Sequence, residues 1–228
     1  MAVLEKLGTH GGRSGGISKF FRGRRMQLFR KLTRNLPRPI RVLDLGGTQA
    51  YWESLDATDP DVFQVTLLNL EGDVAEGTAK TQRKNFDAQI GDVTDLSSID
   101  RSDFDLVHSN SVIEHLFNWE SQLKMAEQIR SLDLPFWVQT PNYWFPMEPH
   151  FHVLGWQWLP RTTRIKRLQK KKCGMRGPVA DWDQAASLVD EVRLLKAREM
   201  RRLFPDAKIY HERIGPFTKS LVAHKGLG

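Results

Sequence analysis

The sequence predicts an α/β protein: a seven-stranded, mostly parallel sheet with helices on both faces and an antiparallel strand at its C-terminal end. Three observations carry this. Short apolar runs alternate with helix-patterned segments from Ile40 to Leu132, the rhythm of strand–helix–strand units. The first run ends in Asp44 and two glycines, a tight turn of the kind that opens such units. The last two runs, "AKIYHERI" and "TKSLVAHK", are joined only by "GPF", which is too short for a crossover and suits an antiparallel hairpin.

Taken in order, the chain begins with residues 1–18, where "GTHGGRSGG" is too glycine-rich to order itself. A single domain is expected over 19–228. From Lys19 to Asn35, Phe21, Leu28, Leu32 and Leu36 fall near one face with Met26 and Phe29 beside them, and most other positions are Arg or Lys. This predicts a basic amphipathic helix over 19–36, ended by "LPRP", since each proline steers the preceding residue away from helix. "IRVLDL" reads as a buried strand and "QAYWESL" as the helix after it. "FQVTLLNL", "NFDAQIGD", "FDLVHSN" and "PFWVQTPN" read as the second to fifth strands, with a helix "WESQLKMAEQIRSL" before the fifth. Residues 143–195 read as an irregular cap or insertion near the strand ends. They hold the aromatic "YWFPMEPHFHVLGWQWLP", the basic "RTTRIKRLQKKK" and a helix-like "DWDQAASLVDEV". "AREMRRLFP" is the last predicted helix.

Composition narrows the class. At 228 residues and 40% apolar content, the chain can bury a proper core. No window holds eighteen apolar residues, and the N-terminal stretch lacks the apolar centre of a secretory signal. The single cysteine, Cys173, makes neither an internal disulfide nor a metal site, in keeping with a reducing cytoplasm. The net charge is +7, and every charged residue between Lys6 and Arg41, and again between Pro149 and Ala180, is basic. Such blocks fit phosphate, anionic lipid, nucleic acid or simply a solvated face.

The turn after the first strand runs Gly46-Gly47-Thr48-Gln49-Ala50-Tyr51. It fails the G-x-G-x-x-G test for a dinucleotide, and no phosphate-loop motif occurs. Asp44 beside it would repel a polyphosphate and suits a cationic or hydroxyl-bearing ligand. With "VLDLGG", "VTLLNLE", "IGDVTDL", "FDLVHSNSVIEHL" and "QTPN" following in order, the chain resembles the class I S-adenosylmethionine-dependent methyltransferases, in their UbiE/UbiG-like (type 11) branch. The resemblance implies a Rossmann-like methyltransferase fold and S-adenosylmethionine as cofactor. It implies that Asp44 anchors the loop and approaches the cofactor's amino-acid end, with Gly46 and Gly47 giving close approach. Thr48 stands where the family has a glycine. Asn69, or Glu71 two residues on, would meet the ribose. Asp92 would accept from the adenine amino group beside Val93, and Asn110 and Ser111 would line the fourth-strand end. Asp92 has a secondary reading as a cap for "VTDLSSI", and Glu114 and His115 read equally as polar positions on a surface helix.

Methyl transfer from a sulfonium needs an aligned acceptor and, for a hydroxyl, a base. Tyr143, His150 and His152 are the candidate catalytic residues, with histidine favoured by its near-neutral pKa. "MEPHFH" places both histidines on one side of an extended segment. No third ligand at suitable spacing accompanies them, so no metal is expected. Trp144, Phe145, Glu148 and His115 are candidates for the acceptor pocket, although the aromatics equally suit the core of the cap. The expected acceptor is a small molecule or lipid-linked metabolite, methylated on oxygen or carbon. The basic helix reads as a cover for the cofactor cleft or as a contact with anionic membrane through Phe20, Phe21 and Leu28. An RNA or protein methyltransferase is the alternative. It is weakened by the lack of an RNA-binding module and of the [DNSQ]-P-P-[FY] motif, for which "TPNY" has Asn142 in place of the second proline. A non-catalytic cofactor-binding protein is the other.

Overall fold

The computed structural model describes residues 16–71 and 83–228, with the backbone alone at 16–20. Its strands are β1 (Ile40–Leu45), β2 (Phe63–Asn69), β3 (Phe86–Ile90), β4 (Leu106–Asn110), β5 (Phe136–Pro141), β6 (Lys208–Ile214) and β7 (Phe217–Lys225). They form one sheet in the order β3-β2-β1-β4-β5-β7-β6. The pairs among β1 to β5 are parallel, and β7 runs antiparallel to both β5 and β6. The predicted sheet, with its single reversed strand, is therefore present. The chain steps outward from β1 to β2 and β3, then returns to place β4 on the other side of β1. The carboxyl ends of β1 and β4 thus flank the switch point where open α/β sheets take their ligands.

Period-two alternation divides the core. Leu43, Leu45, Val107 and Val138 face α3 (Trp119–Ser131) and α6 (Ala197–Leu203), packing on Met125, Ile129, Met200 and Leu203. Val42, Val65, Leu106 and Trp137 face the other way, onto Met26 and Phe29 of α1 (Gly16–Leu32) and Trp52 of α2 (Gln49–Glu53). Asn118 caps α3 by accepting from the Ser121 N–H.

The basic helix starts at Gly16 and stops at Leu32, about one turn earlier at each end than the apolar pattern predicts. Thr33 closes it, its N–H and hydroxyl both donating to the Phe29 carbonyl. Residues 1–15 of the expected glycine-rich tail lie outside the described residues, as does the side chain of Phe20. Phe21 is buried and Leu28 half-buried, so those two apolar side chains are occupied within the fold. Arg25 is 7% exposed. Its guanidinium donates to both Glu212 oxygens at 3.3 and 2.9 Å and to Asn110 Oδ1 at 2.7 Å, tying α1 to β6 and β4. Burial alone would raise the Glu212 carboxyl, but Arg25 and the Ser220 hydroxyl outweigh it and hold it below the usual carboxylate range.

The stretch between β5 and α6 is less irregular than its composition predicts. The basic run is a helix, α4 (Arg161–Lys170), which buries Ile165 and Leu168 three residues apart. Against it packs α5 (Trp182–Asp190), capped by Asp181. Phe151, Trp156, Cys173, Ala185 and Val189 complete a small separate core, with Phe151 and Trp156 stacked at 4.3 Å.

Trp52 Nε1 donates to the fully buried Asp44 carboxylate at 2.7 Å. Replacing Trp52 with Phe removes part of a fully buried ring and orphans that oxygen. We expect a loss of about 2 kcal/mol, read as a lower urea midpoint with an unchanged slope.

Candidate functional site

The predicted cofactor residues gather along the carboxyl edge of β1 to β4. Gly46 has φ +71°, and a Cβ there would sit 2.7 Å from the Val112 side chain. At Gly47 a Cβ would fall 1.7 Å from Asp44 Oδ2. Asp44 itself is beneath the loop: Oδ2 accepts from Trp52 and Oδ1 lies 2.7 Å from His108 Nδ1. Thr48 earns its departure from glycine by capping α2, its hydroxyl accepting from the Tyr51 N–H. Asn69 ends β2, and its amide donates to the Gly47 carbonyl at 2.9 Å, leaving Oδ1 as an acceptor. Glu71 is exposed beyond the strand. Asp92 is exposed in a turn rather than at a helix start. Its Oδ1 accepts from the Thr94 N–H and hydroxyl, and Val93 beside it is buried. Asn110 Oδ1 is taken by Arg25. Ser111, at φ +58°, donates to Gln139 Oε1.

A second group forms where the β4 and β5 ends meet the segment after β5. Glu114 and His115 sit in a short 3₁₀ turn, Ile113–His115, and not on a surface helix. Glu114 is 0% exposed; Thr140 Oγ1 donates to its Oε2 at 2.9 Å, while Oε1 has no partner. Burial raises its pKa. The Arg193 N–H donates to the Glu114 carbonyl at 2.7 Å, drawing the distant chain onto this turn. His115 lies 3.7 Å from Glu191 and meets the His150 ring edge-to-face at 4.8 Å. Burial pushes its pKa down to about 3, with the neighbouring His150 and Arg176 adding to the effect.

His150 and His152 do not share a side. Glu148 Oε2 accepts from the backbone N–H groups of His150 and Phe151 at 2.7 and 2.6 Å. This folds "MEPHFH" into a turn and ends the extended alternation on which the expectation rested. His152 is left exposed at φ +49°. His150 points inward, with Nδ1 2.7 Å from Glu148 Oε1. Burial opposes its charged form, but the Glu148 hydrogen bond and the Glu148 and Glu114 charges outweigh that and raise its pKa. Glu114, His115 and His150 bring three ligand-type atoms within 4.8 Å of one another, the one such group among the described residues. Sequence spacing had offered no third ligand, because Glu114 and His115 lie far from His150 along the chain. One carboxyl and two imidazoles thus form a compact acid–base cluster.

Next to it lies a cavity of about 200 Å³, lined by Tyr143, Glu148, Trp156, Gln157, Arg164 and Lys196 among others. Tyr143 and Phe145 are half-buried, while Trp144 is 58% exposed on the outside. Glu114, Arg25 and Arg164 belong to the site through contacts distant in sequence. Only the "VIEHL" segment carried a signal for any of them.

The depressed His115 pKa has a stability consequence. The unfolded chain takes up a proton near pH 6.5 that the folded chain refuses until about pH 3. Below pH 6.5 the unfolded state therefore binds more protons, and this site makes stability fall as the pH is lowered. His115→Gln should flatten the decline between pH 6 and about 4, measured as the pH dependence of the urea midpoint.

Comparison with known proteins bears on the fold. A protein-family profile described as a methyltransferase domain matches residues 20–204. No curated protein matches by sequence. Among solved structures, the CurJ carbon methyltransferase is similar with a TM-score of 0.55 at 12% identity, over 91% of this chain and 55% of that one. An O-methyltransferase family protein from Burkholderia thailandensis gives 0.54 at 13% identity, over 89% and 55%. Human N-acetylserotonin methyltransferase in complex with S-adenosylmethionine gives 0.50 at 16%, over 92% and 57%. The chain thus spans little more than half the length of each, and at these identities the likeness concerns the fold. It does not single out the UbiE/UbiG-like branch, the neighbours including O-methyltransferases.

Proposed function

The chain belongs to the methyltransferase domain family, and from that premise we propose that it transfers a methyl group from S-adenosylmethionine to an oxygen or carbon of a small-molecule or lipid-linked acceptor. The observation that carries this reading is the glycine turn at the switch point, ringed by polar groups with spare capacity. Asn69 Oδ1 suits a ribose hydroxyl, since its amide is engaged by Gly47; Glu71 is the nearby alternative. Asp92 keeps Oδ2 for the adenine amino group, its Oδ1 being held by Thr94. Val93, Asn110 and Ser111 complete the edge. Asp44 acts from below, fixing Gly46 and Gly47 for the amino-acid end without touching it, because both of its oxygens are engaged.

When bound, the cofactor's sulfonium supplies an already activated methyl group. The chain's own part is to align the acceptor, exclude water and take a proton from a hydroxyl. His150 is the base this geometry favours. Glu148 fixes its Nδ1 as the protonated nitrogen, which leaves Nε2 to accept. His115, held neutral, supports the ring edge-on. Tyr143 stands behind, its hydroxyl 3.5 Å from the Gln157 carbonyl. His152 faces solvent and takes no part in this scheme.

Calorimetry with S-adenosylhomocysteine should show binding that Asn69→Ala and Asp92→Ala each weaken by about tenfold. No binding at millimolar ligand would remove the cofactor assignment. With an acceptor in hand, kcat/KM should rise with pH through an apparent pKa above the ordinary histidine value of about 6.5. His150→Gln should abolish that limb while leaving S-adenosylhomocysteine affinity unchanged. A chelator should leave turnover as it was.

A further inference from the structure

We propose that the cavity between α4, α5 and the Tyr143–Trp156 segment binds an acidic group of the acceptor, a carboxylate or a phosphate monoester, and that Arg164 and Trp156 hold it. Both carboxylates there are engaged by the protein. Glu148 accepts from His150 Nδ1 and two backbone N–H groups. Glu199 accepts from Arg193 Nη2 and from the Lys196 N–H. Arg193 is satisfied in turn, by Glu199 and Gln122 Oε1.

Two buried donors lack an acceptor among the described residues. Trp156 is 1% exposed and its buried Nε1–H has no acceptor. Arg164 Nε is buried without a partner, and no hydrogen bond or ion pair to its guanidinium occurs among the described residues. The nearby Asp190 is held by Arg161 through both oxygens. Lys196 Nζ lies over the Tyr143 and Trp144 rings at 4.6 and 5.6 Å, with no carboxylate in an ion pair with it among the described residues. A buried guanidine Nε–H and a buried indole N–H without acceptors are costly, and both residues line the cavity, where an anion would accept from them through charge-assisted bonds. Burial accordingly lowers the Arg164 pKa. One spare acceptor, Gln157 Oε1, is also buried and unpartnered; it suits a hydroxyl beside the acid group. At about 200 Å³ the cavity is below the usual size for a whole ligand, so it suits a head group. Glu148 lines the cavity and also holds His150, so an acceptor anchored here would direct its remainder toward that imidazole.

Only the word acceptor rests on the methyltransferase reading; the anion site stands on geometry, and its test needs neither cofactor nor turnover. The Trp156 indole N–H resonance, assigned by its loss in Trp156→Phe, is followed in ¹⁵N-labelled full-length protein at constant ionic strength. Inorganic phosphate, benzoate and neutral methyl benzoate are titrated in turn. The expected result is a saturable downfield shift with phosphate, benzoate or both, and none with the ester. Response to phosphate alone identifies a phosphoryl acceptor, and to benzoate alone a carboxylate one. Arg164→Gln should weaken the anion by about tenfold, while Arg164→Lys, which keeps the charge, should lose less. No saturable shift with either anion at tens of millimolar overturns the proposal, as does an unchanged affinity in an Arg164→Gln protein whose indole spectrum is otherwise native. S-adenosylhomocysteine calorimetry on the same samples judges the cofactor reading separately.

Discussion

A single buried carboxylate organises this molecule. Asp44 is 0% exposed near the end of β1. A carboxylate so placed is tolerable only if hydrogen bonds replace its water. Trp52 supplies one from α2 and His108 faces the other oxygen from β4, each at 2.7 Å. Strand, helix and neighbouring strand are thereby fixed to one point. The N-terminal helix docks on the same point, since Phe29 packs against Trp52, His108 and Trp137 with ring centroids 5.4 to 6.2 Å apart. Gly47 follows as a consequence, because the carboxylate occupies the space its side chain would need. The glycine of this turn is required by what lies below it as much as by any ligand above.

From that point the two halves of the candidate site are linked through the ends of β4 and β5. Arg25 joins Asn110, at the end of β4, to Glu212 on the far side of the sheet. Ser111 donates to Gln139 and Thr140 donates to Glu114, so adjacent residues of β5 hold the turn after β4. Arg193 then bonds the Glu114 carbonyl, and a bridge joins Asn142 to Leu195. The segment carrying His150 is thus fastened at both ends to the strand tips beside the glycine turn. A base borne there is held by side chains of restricted freedom, which is what alignment of an acceptor demands.

The sheet was legible because its signals are local. Alternation along "IRVLDL" and its successors assigns faces residue by residue, and "GPF" permits only a hairpin. Thr48 looked like a defect and is a helix cap, a role readable from the four residues around it. The acid–base cluster was not legible in the same way. Glu114 is polar and sits in a turn, which predicts exposure; it is buried by residues about eighty positions later, through contacts no local pattern encodes. The histidine pair was misread for a related reason. Period-two geometry holds only while the chain stays extended, and Glu148 captures two N–H groups at just that place. The basic run hid a helix because α4 shows only Ile165 and Leu168 to its partner, two residues among ten.

Net charge proves the weakest guide of all, for a physical reason. A sum over the chain weighs each cation equally, whereas its effect depends on what faces it. Arg25, Arg41, Arg161, Arg176 and Arg193 all meet carboxylates within 3 Å. These bind the fold to itself, and their fields are largely cancelled at any distance a ligand would sense. Arg164 differs by a few ångströms of geometry: Asp190 is held by Arg161, and Glu148 by the turn it closes. The charge that matters for recognition is the one whose counter-charge has been taken by a neighbour, and such a charge is invisible until the carboxylates have been assigned.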